Sequence, residues 1–214
     1  MLTIHTVDLV GCISDVLPFV TPDKDDTDRR AVHLRWDGEL FHASAYSGWH
    51  SGISSWSPDD PPERDVQDEL EVELGSDDAP WEFVLSVDDA KHLLKTAKPA
   101  KGLEYVPLFV EHDGQFLHVK RAKQSRVPGF SLAYDALDAE FPDLRQLVAA
   151  AGNHVEDVKE AGFNAQFLAA FAAVRQRGSY PKFTFGGAQH PTIVEIGNRF
   201  VGLIQPVRPA EDRS

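Results

Sequence analysis

Lysines with helical spacing are the residues of this sequence whose chemistry is easiest to specify. Lys91, Lys95 and Lys98 follow one another at intervals of four and three residues, which places them on one face of a helix. Ammonium and guanidinium groups pair with phosphate oxygens, so a basic face of this kind is a candidate contact for a nucleic-acid backbone. The candidate residues are Lys91, Lys95, Lys98, Lys101, Arg175 and Arg177. The ordinary alternative is a solvated helix surface whose cations favour the helix C-terminus.

The overall charge argues against a general affinity for nucleic acid. The chain has 21 Lys and Arg residues against 34 Asp and Glu residues, which gives a net charge of −13. Contact with a polyanion therefore requires the basic residues to gather on one surface, away from the acidic ones. The position of the helices in the fold decides whether they do.

Histidine and cysteine give no sign of a metal site or a catalytic nucleophile. The pairs His42/His50 and His112/His118 lack the HxxxH or HExxH spacing of metal ligands on a helix. Cys12 lies in an apolar helical pattern, so we expect a buried, inert thiol. We expect no metal, no cofactor and no catalytic residue. A hydrolase whose site the sequence does not reveal is an open alternative.

The composition indicates a globular chain in a reducing compartment. Hydrophobic residues make up 42% of the sequence, and no apolar run approaches the roughly 20 residues of a membrane span. The start of the sequence has no basic segment followed by an apolar one, so we expect no signal peptide. A single cysteine excludes an internal disulfide framework. We therefore expect a cytoplasmic protein without a membrane partner.

The elements that position the basic residues follow one order three times. LTIHTV and WEFVLSV each predict a strand, and each is followed by an apolar helical pattern and a hairpin. A third helix, capped by Asn164, is followed by the strand PKFTFGG and another hairpin. The three hairpin turns begin at Asp37, Asp113 and Gly197. The sequence thus predicts an internal repeat of a strand, a helix and up to three strands.

This repeat predicts an α+β fold, a curved antiparallel sheet with the helices on one face. We expect a first domain over 1–140, with units 1–60 and 66–140, a shorter second domain over 141–208, and a tail over 209–214. Between the first two units, DELEVEL alternates and predicts a strand with a negative outer face. We expect Asp8 to cap the first helix, and the third helix to end with Arg175 and Arg177.

Four stretches of the sequence resemble bacterial DNA sliding clamps, the β subunits of the replicase. FNAQFLAAF resembles the FNPxYLxxxL helix of the last clamp half-domain, and LIQPVR resembles the C-terminal hydrophobic–Met–Pro–hydrophobic–Arg sequence of the clamps. WEFVLSVDDAKHLLKTA is similar to the strand and helix that open a second half-domain. EFPDLRQL is similar to the FPxL/FPDYR signature that closes a clamp domain. The four stretches occur in the clamp order.

The resemblance implies a compact, phage- or plasmid-type clamp that serves DNA replication as a processivity factor. Such a protein encircles or tracks duplex DNA by non-specific contact with the DNA backbone. The basic residues named above would face that DNA. The resemblance further implies a homo-oligomer, a clamp loader if the subunits close a ring, and a pocket for peptides of DNA polymerase or other partners. The matching pocket residues are Leu203, Ile204, Gln205, Pro206, Val207 and Arg208.

The sequence departs from the clamp pattern at the pocket and in the number of units. Gln205 stands where clamps carry Met, and HASAYSG replaces the acidic turn that follows the first clamp hairpin. Three units are clear where a two-domain subunit has four, and a degenerate fourth unit within 128–162 is one explanation. A clamp-fold protein-interaction module that does not encircle DNA is the alternative function.

Overall fold

A computed structural model gives the fold of most of the chain. It describes residues 1–60, 73–76, 79–98, 101, 103–123, 127–158, 160–175, 179–187 and 190–207. Most of the predicted DELEVEL strand, the predicted tail, Arg177 and Arg208 lie outside the described residues. The division into domains at residue 140 stays a prediction.

Three units with the predicted order of elements make up the structure. Unit 1 contains β1 (Leu2–His5), α1 (Thr6–Val16), a 3₁₀ turn (Leu17–Phe19), β2 (Ala31–Trp36), β3 (Phe41–Tyr46) and β4 (His50–Trp56). Unit 2 contains β5 (Trp81–Ser86), α2 (Val87–Ala97), β6 (Pro107–His112), β7 (Phe116–Arg121) and β8 (Phe130–Asp135). After α3 (Leu144–Gly152), unit 3 contains α4 (Ala165–Ala172), β9 (Pro181–Thr184), β10 (Thr192–Ile196) and β11 (Phe200–Ile204).

The strands form two antiparallel sheets instead of the single sheet that we expected. Sheet A has the order β1-β6-β7-β8, and sheet B has the order β5-β2-β3-β4-β11-β10-β9. Units 1 and 2 therefore exchange their first strands, and unit 3 continues the sheet of unit 1 through the β4–β11 pair. The units lie in the spatial order 2, 1, 3, although the chain runs 1, 2, 3. The α+β class and the repeat are confirmed.

Helices α1, α2 and α4 lie on one face of the sheets, as predicted from the repeat. Their apolar side chains join one core with the inward residues of both sheets. Phe171 of α4 contacts Phe19 of the 3₁₀ turn, with ring centroids 4.9 Å apart. Helix α3 is the exception, because its Gly152 lies against Ile193, whose side chain points to the opposite face of β10 from the buried Val194.

Two glycines allow α4 and the 3₁₀ turn to pack directly on the joint between units 1 and 3. Gly52 of β4 and Gly202 of β11 lie opposite each other. A Cβ atom at Gly52 would come within 2.9 Å of Phe19, and one at Gly202 within 2.8 Å of Phe171. The absence of side chains at this pair therefore makes room for the aromatic rings that tie unit 3 to unit 1.

Buried carboxylates of α1 complete the same joint. Asp15 is 3% exposed and accepts hydrogen bonds from Ser54 Oγ at 3.1 Å and from the backbone N–H of Arg175 at 2.8 Å. Asp8 pairs with Arg199 of the β10–β11 turn at 2.9 Å. These contacts hold the chain after α4 and the β10–β11 turn against α1.

Several helix ends differ from the sequence predictions. Helix α4 ends at Ala172, before Arg175, because the chain there turns to give its N–H to Asp15. His5 occupies the N-cap of α1 instead of Asp8, since the N–H of the next residue, Thr6, already bonds to the carbonyl of Val106. In the described part of 128–162, β8 and α3 are the regular elements, so no fourth unit is present there.

Candidate functional site

The lysines of α2 lie on the helix-bearing face. Ser86 caps α2 by accepting a hydrogen bond from the N–H of Asp89 at 3.1 Å, which fixes the start of the helix. Leu93 is buried beneath the helix, while Lys91 and Lys95 are exposed on its outer side. Within the described part of the chain, neither lysine forms an ion pair, so both ammonium groups are available to an external anion.

Other predicted DNA-facing residues lie outside the regular helices. Lys98 is the C-cap of α2 and has a non-helical backbone. Lys95 is therefore the last lysine of the row that lies within the helix. Lys98 and Lys101 are exposed just beyond the helix end. Arg175 is exposed after α4, beside Asp15 of α1, and so lies in another unit from the lysines. The structure brings the lysines together and leaves Arg175 apart from them.

The remaining helix surface is uncharged rather than basic. Helix α4 contains no charged residue, and its exposed side carries Ala165, Gln166, Ala169 and Ala172. Helix α1 contains only the acidic residues Asp8 and Asp15, both engaged in the contacts described above. Among the described helices of this face, the exposed lysines therefore lie on α2, whose first turn also carries Asp88 and Asp89.

An apolar cavity lies on the opposite face, between α3 and the β4–β11 pair. Its volume is about 290 Å³. The residues that line it are Tyr46, Gly48, Trp49, His50, Ser51, Leu144, Leu147, Ala150, Ala151, His154, His190, Pro191, Leu203 and Gln205. The cavity thus combines side chains of unit 1, unit 3 and α3.

Two of the predicted pocket residues, Leu203 and Gln205, line this cavity. Ile204 does not, because it alternates with Leu203 along β11 and is fully buried on the helix side of the sheet. Pro206 and Val207 lie beyond the cavity, and the N–H of Val207 bonds to the carbonyl of Gly162 at 2.7 Å. The backbone N–H of Gln205 bonds to the carbonyl of Trp49 at 2.9 Å, which joins the strand end to the cavity rim.

The apolar rim of the cavity was missed in the sequence. Trp49 is 62% exposed and Leu147 is 47% exposed, and both face the opening. A signal for Leu147 was present, because Leu147 is the last residue of EFPDLRQL, whose second half forms the start of α3. Trp49 lies in the turn between β3 and β4, directly after the HASAYSG segment that departs from the clamp pattern. The sequence does not show that the β3–β4 turn and α3 lie side by side on the folded sheet.

A polar cluster holds α3 at the cavity wall. Arg145 of α3 pairs with Asp37 at 2.9 Å, and Asp37 lies 3.3 Å from His42 Nε2. His42 Nδ1 lies 2.7 Å from Ser55 Oγ. Burial, reinforced by the nearby charge of Arg145, lowers the pKa of His42 to about 4, so its ring is neutral at pH 7.

This Ser–His–Asp chain does not resemble a hydrolase site. The backbone N–H of Ser55 bonds to the carbonyl of Arg199 at 2.8 Å and cannot donate to an oxyanion. Cys12, the other potential nucleophile, is 4% exposed, and burial raises the pKa of its thiol to about 12. Among the described residues, no group of three or more His, Cys, Asp or Glu side chains is arranged to hold a metal ion.

Solved structures with the same architecture are bacterial DNA polymerase III β subunits. The β subunit from Thermotoga maritima matches with a TM-score of 0.69 and 13% identity, over 98% of this chain and 66% of that chain. The β subunit from Pseudomonas aeruginosa gives 0.67 and 11%, over 97% and 67%. The C. crescentus β sliding clamp gives 0.67 and 14%, over 97% and 65%. The chain has the fold of a bacterial sliding clamp.

The clamp fold is accompanied by little sequence similarity to these proteins. No family model matches the chain, and no curated protein matches it in sequence. The chain spans about two thirds of the length of the clamps that it matches. None of the described helices is long and apolar enough to cross a membrane.

Proposed function

We propose that this chain is a sliding-clamp-like processivity factor, which encircles or tracks duplex DNA and docks replication proteins. The observation that carries the proposal is the division of the clamp fold into two faces. The helix-bearing face presents the exposed Lys91 and Lys95, and the opposite face contains the apolar cavity. One face is thus suited to a phosphate backbone, and the other to an apolar peptide.

Contact with DNA would be loose and independent of base sequence. Lysines on a helix surface offer mobile point charges without the planar geometry that reads base edges. Such contacts are weakened by salt and permit sliding. The strong negative charge of the rest of the chain would keep DNA away from the other surfaces.

The cavity would accept apolar side chains of an extended partner peptide, such as a segment of a DNA polymerase. Its lining is mostly aliphatic and aromatic, and its rim is formed by the exposed Trp49 and Leu147. Aromatic residues at a rim of this kind commonly contribute much of the binding energy of an interface. Gln205 adds a side-chain amide that can bond to a polar group of the peptide.

A clamp-fold interaction module without DNA is the second candidate. The observation that favours it is the lack of basic side chains on the described surfaces of α1 and α4. Its cavity would serve the same role, but duplex DNA would not be its partner.

Charge reversal at Lys91 separates these candidates. If the helix-bearing face contacts DNA, Lys91→Glu weakens duplex binding and reduces the slope of log affinity against log salt by about one. Lys120→Glu is the control, because Lys120 is also exposed but lies on β7 facing away from the helices, where it pairs with Glu111 at 3.6 Å. Equal binding by the two variants, measured by fluorescence anisotropy with labelled duplex, would favour the interaction module.

A further inference from the structure

Units 1 and 2 are joined by pairing between their strands. In unit 3, the strand edge that corresponds to this joint is not paired with another described strand. In that joint the strand before each helix pairs with the first strand after the other helix, β1 with β6 and β5 with β2. The exchange is reciprocal, so an approximate two-fold axis relates the two units. In unit 3, β9 is the first strand after the helix, and it is an edge strand that pairs only with β10 among the described strands.

The joint between units 1 and 2 follows one register in both of its halves. The residue that caps the helix lies opposite the first residue of the partner strand: His5 opposite Pro107, and Ser86 opposite Ala31. These two pairs fix the register of the whole joint, since each strand is antiparallel to its partner.

The register continues into the first turn of each helix. The N–H of Thr6, which follows the cap of α1, bonds to the carbonyl of Val106 at 3.0 Å. The N–H of Val87, which follows the cap of α2, bonds to the carbonyl of Arg30 at 2.9 Å. The acceptor is in each case the residue immediately before the partner strand.

The segment before α4 has the same layout as β1. Gly162 lies two residues before the cap Asn164 and forms an isolated bridge with Val207. Thr3 lies two residues before the cap His5 and forms an isolated bridge with Gly75. In β1 the other edge pairs with β6. Since backbone groups of an extended chain alternate in direction, those of the residues on either side of Gly162 point away from Val207 to an open edge.

The apolar side chains around this open edge are more exposed than their equivalents in the closed joint. Leu168 lies four residues after the cap and is only partly buried, whereas Leu9 and Ala90 at that position are 1% and 0% exposed. Tyr180, just before β9, is 80% exposed, whereas the equivalent Val106 is 8% exposed. Within the described part of the chain, no other strand pairs with this edge, and the surface that these residues form is accessible to a partner.

We propose that this surface binds unit 3 of a second copy of the chain around a two-fold axis. Unit 3 carries both halves of the joint, the segment 160–163 and the free edge of β9, so it is complementary to itself. The register places Asn164 opposite Pro181 of the second copy, and Ala161 opposite Thr184 of the second copy. The absence of charge on α4 favours close contact between the two α4 helices.

Head-to-tail association does not satisfy the same geometry. The free end of unit 2 is β8, the last strand of its unit, and the structure pairs last strands with last strands, as β4 with β11. Two copies joined through unit 3 would form an arc of six units. The β8 edge of each copy would lie at one end of this arc, where pairing of β8 edges could close a ring. This ring closure deepens the proposed function and rests on it, whereas the unit 3 joint itself does not.

The joint is tested by the mass of the chain and of one variant in solution. Ala172 is exposed in α4, while the equivalent Ile13 of α1 is fully buried, so Ala172→Glu sets two like charges in the joint without disturbing the monomer. We expect a dimer for the unaltered chain and a monomer for Ala172→Glu by sedimentation equilibrium. Ala149→Glu, at an exposed position of α3, is the matched control and is expected to remain dimeric.

Disulfide trapping tests the register. Oxidation of the double variant Ala161→Cys/Thr184→Cys is expected to give a covalent dimer. Ala161→Cys/Lys182→Cys, shifted by two residues, is the control and is expected to cross-link much less. The natural Cys12 is buried and does not compete.

A monomeric unaltered chain, a dimer that persists in Ala172→Glu, or more efficient cross-linking in the shifted register would each overturn the proposed joint. A dimer with the expected register that does not bind duplex DNA would contradict the proposed function and support the joint. A monomer whose DNA binding depends on Lys91 would contradict the joint alone.

Discussion

At the scale of single residues, the rim of the cavity is formed by large apolar side chains that are exposed to water. Trp49 and Leu147 are large and apolar, yet each keeps about half or more of its surface in water. Burial of either side chain would release free energy, of the order of 2 kcal/mol for leucine. Both residues face one cavity, which distinguishes them from scattered exposed residues such as Val155.

Leu147→Asp is therefore expected to weaken peptide binding while leaving the fold intact. The lost burial of one leucine corresponds to an increase in Kd of between about 10-fold and 100-fold. The change in Trp49 fluorescence on titration with an extended peptide that carries two apolar side chains measures this affinity, and Trp49→Phe identifies the source of the signal. Val155→Asp, a similar change at an exposed position outside the cavity, provides the control. An equal Kd for Leu147→Asp and the unaltered chain would exclude the cavity as the docking site.

At the scale of elements, the joint between β4 and β11 depends on the opposed glycines Gly52 and Gly202. Phe19 and Phe171 fill the space over this pair, so the glycines determine how closely the 3₁₀ turn and α4 approach the sheet. The joint consequently transmits any displacement of unit 3 to unit 1.

Gly202→Ala is expected to lower the free energy of unfolding by about 1–3 kcal/mol, because the added methyl group overpacks this joint. Its Cβ would come within 2.8 Å of Phe171. Gly11→Ala is the control, since no atom lies within 4 Å of a Cβ at that position of α1, and it is expected to stabilise the helix by up to about 1 kcal/mol. Urea denaturation measures both. A Gly202→Ala variant as stable as the unaltered chain would show that the joint tolerates repacking.

The elements themselves could be predicted from sequence better than their ends. The hairpin turns and the cap Asn164 follow from local rules, because a turn residue or a capping side chain acts within a few residues of itself. The end of α4 could not be predicted, since it is set by Asp15, which lies far away in the chain. Strand exchange between units 1 and 2 was likewise invisible, because the same alternating pattern suits either partner.

The candidate site could be predicted only in part for a similar reason. Resemblance to the clamps predicted Leu203, Ile204 and Gln205 as pocket residues. Leu203 and Gln205 line the cavity, whereas Ile204 lies in the core because side chains alternate along β11. The cavity exists because unit 3 lies beside unit 1 and α3 crosses the outer face of sheet B. That arrangement is a property of the tertiary fold and leaves no local signal at Trp49.

At the scale of the whole molecule, the clamp fold explains how an acidic chain could hold DNA. The chain has a net charge of −13, so tight binding by charge alone is not available to it. Enclosure requires only that the inner surface does not repel the duplex strongly. The uncharged α4 favours that condition, as do the lysines of α2, which offset Asp88 and Asp89 in the first turn of that helix. In the dimer proposed above, the second copy would extend the enclosing surface.

Retention on circular DNA tests this enclosure most directly. The chain is mixed with nicked circular duplex at low ionic strength and then challenged with high salt, which screens the lysine contacts. We predict that the chain remains on the circle and is released when a restriction enzyme makes the DNA linear, because only a linear duplex has ends from which a ring can slide. Release from the circle and from linear DNA at the same rate would contradict the account.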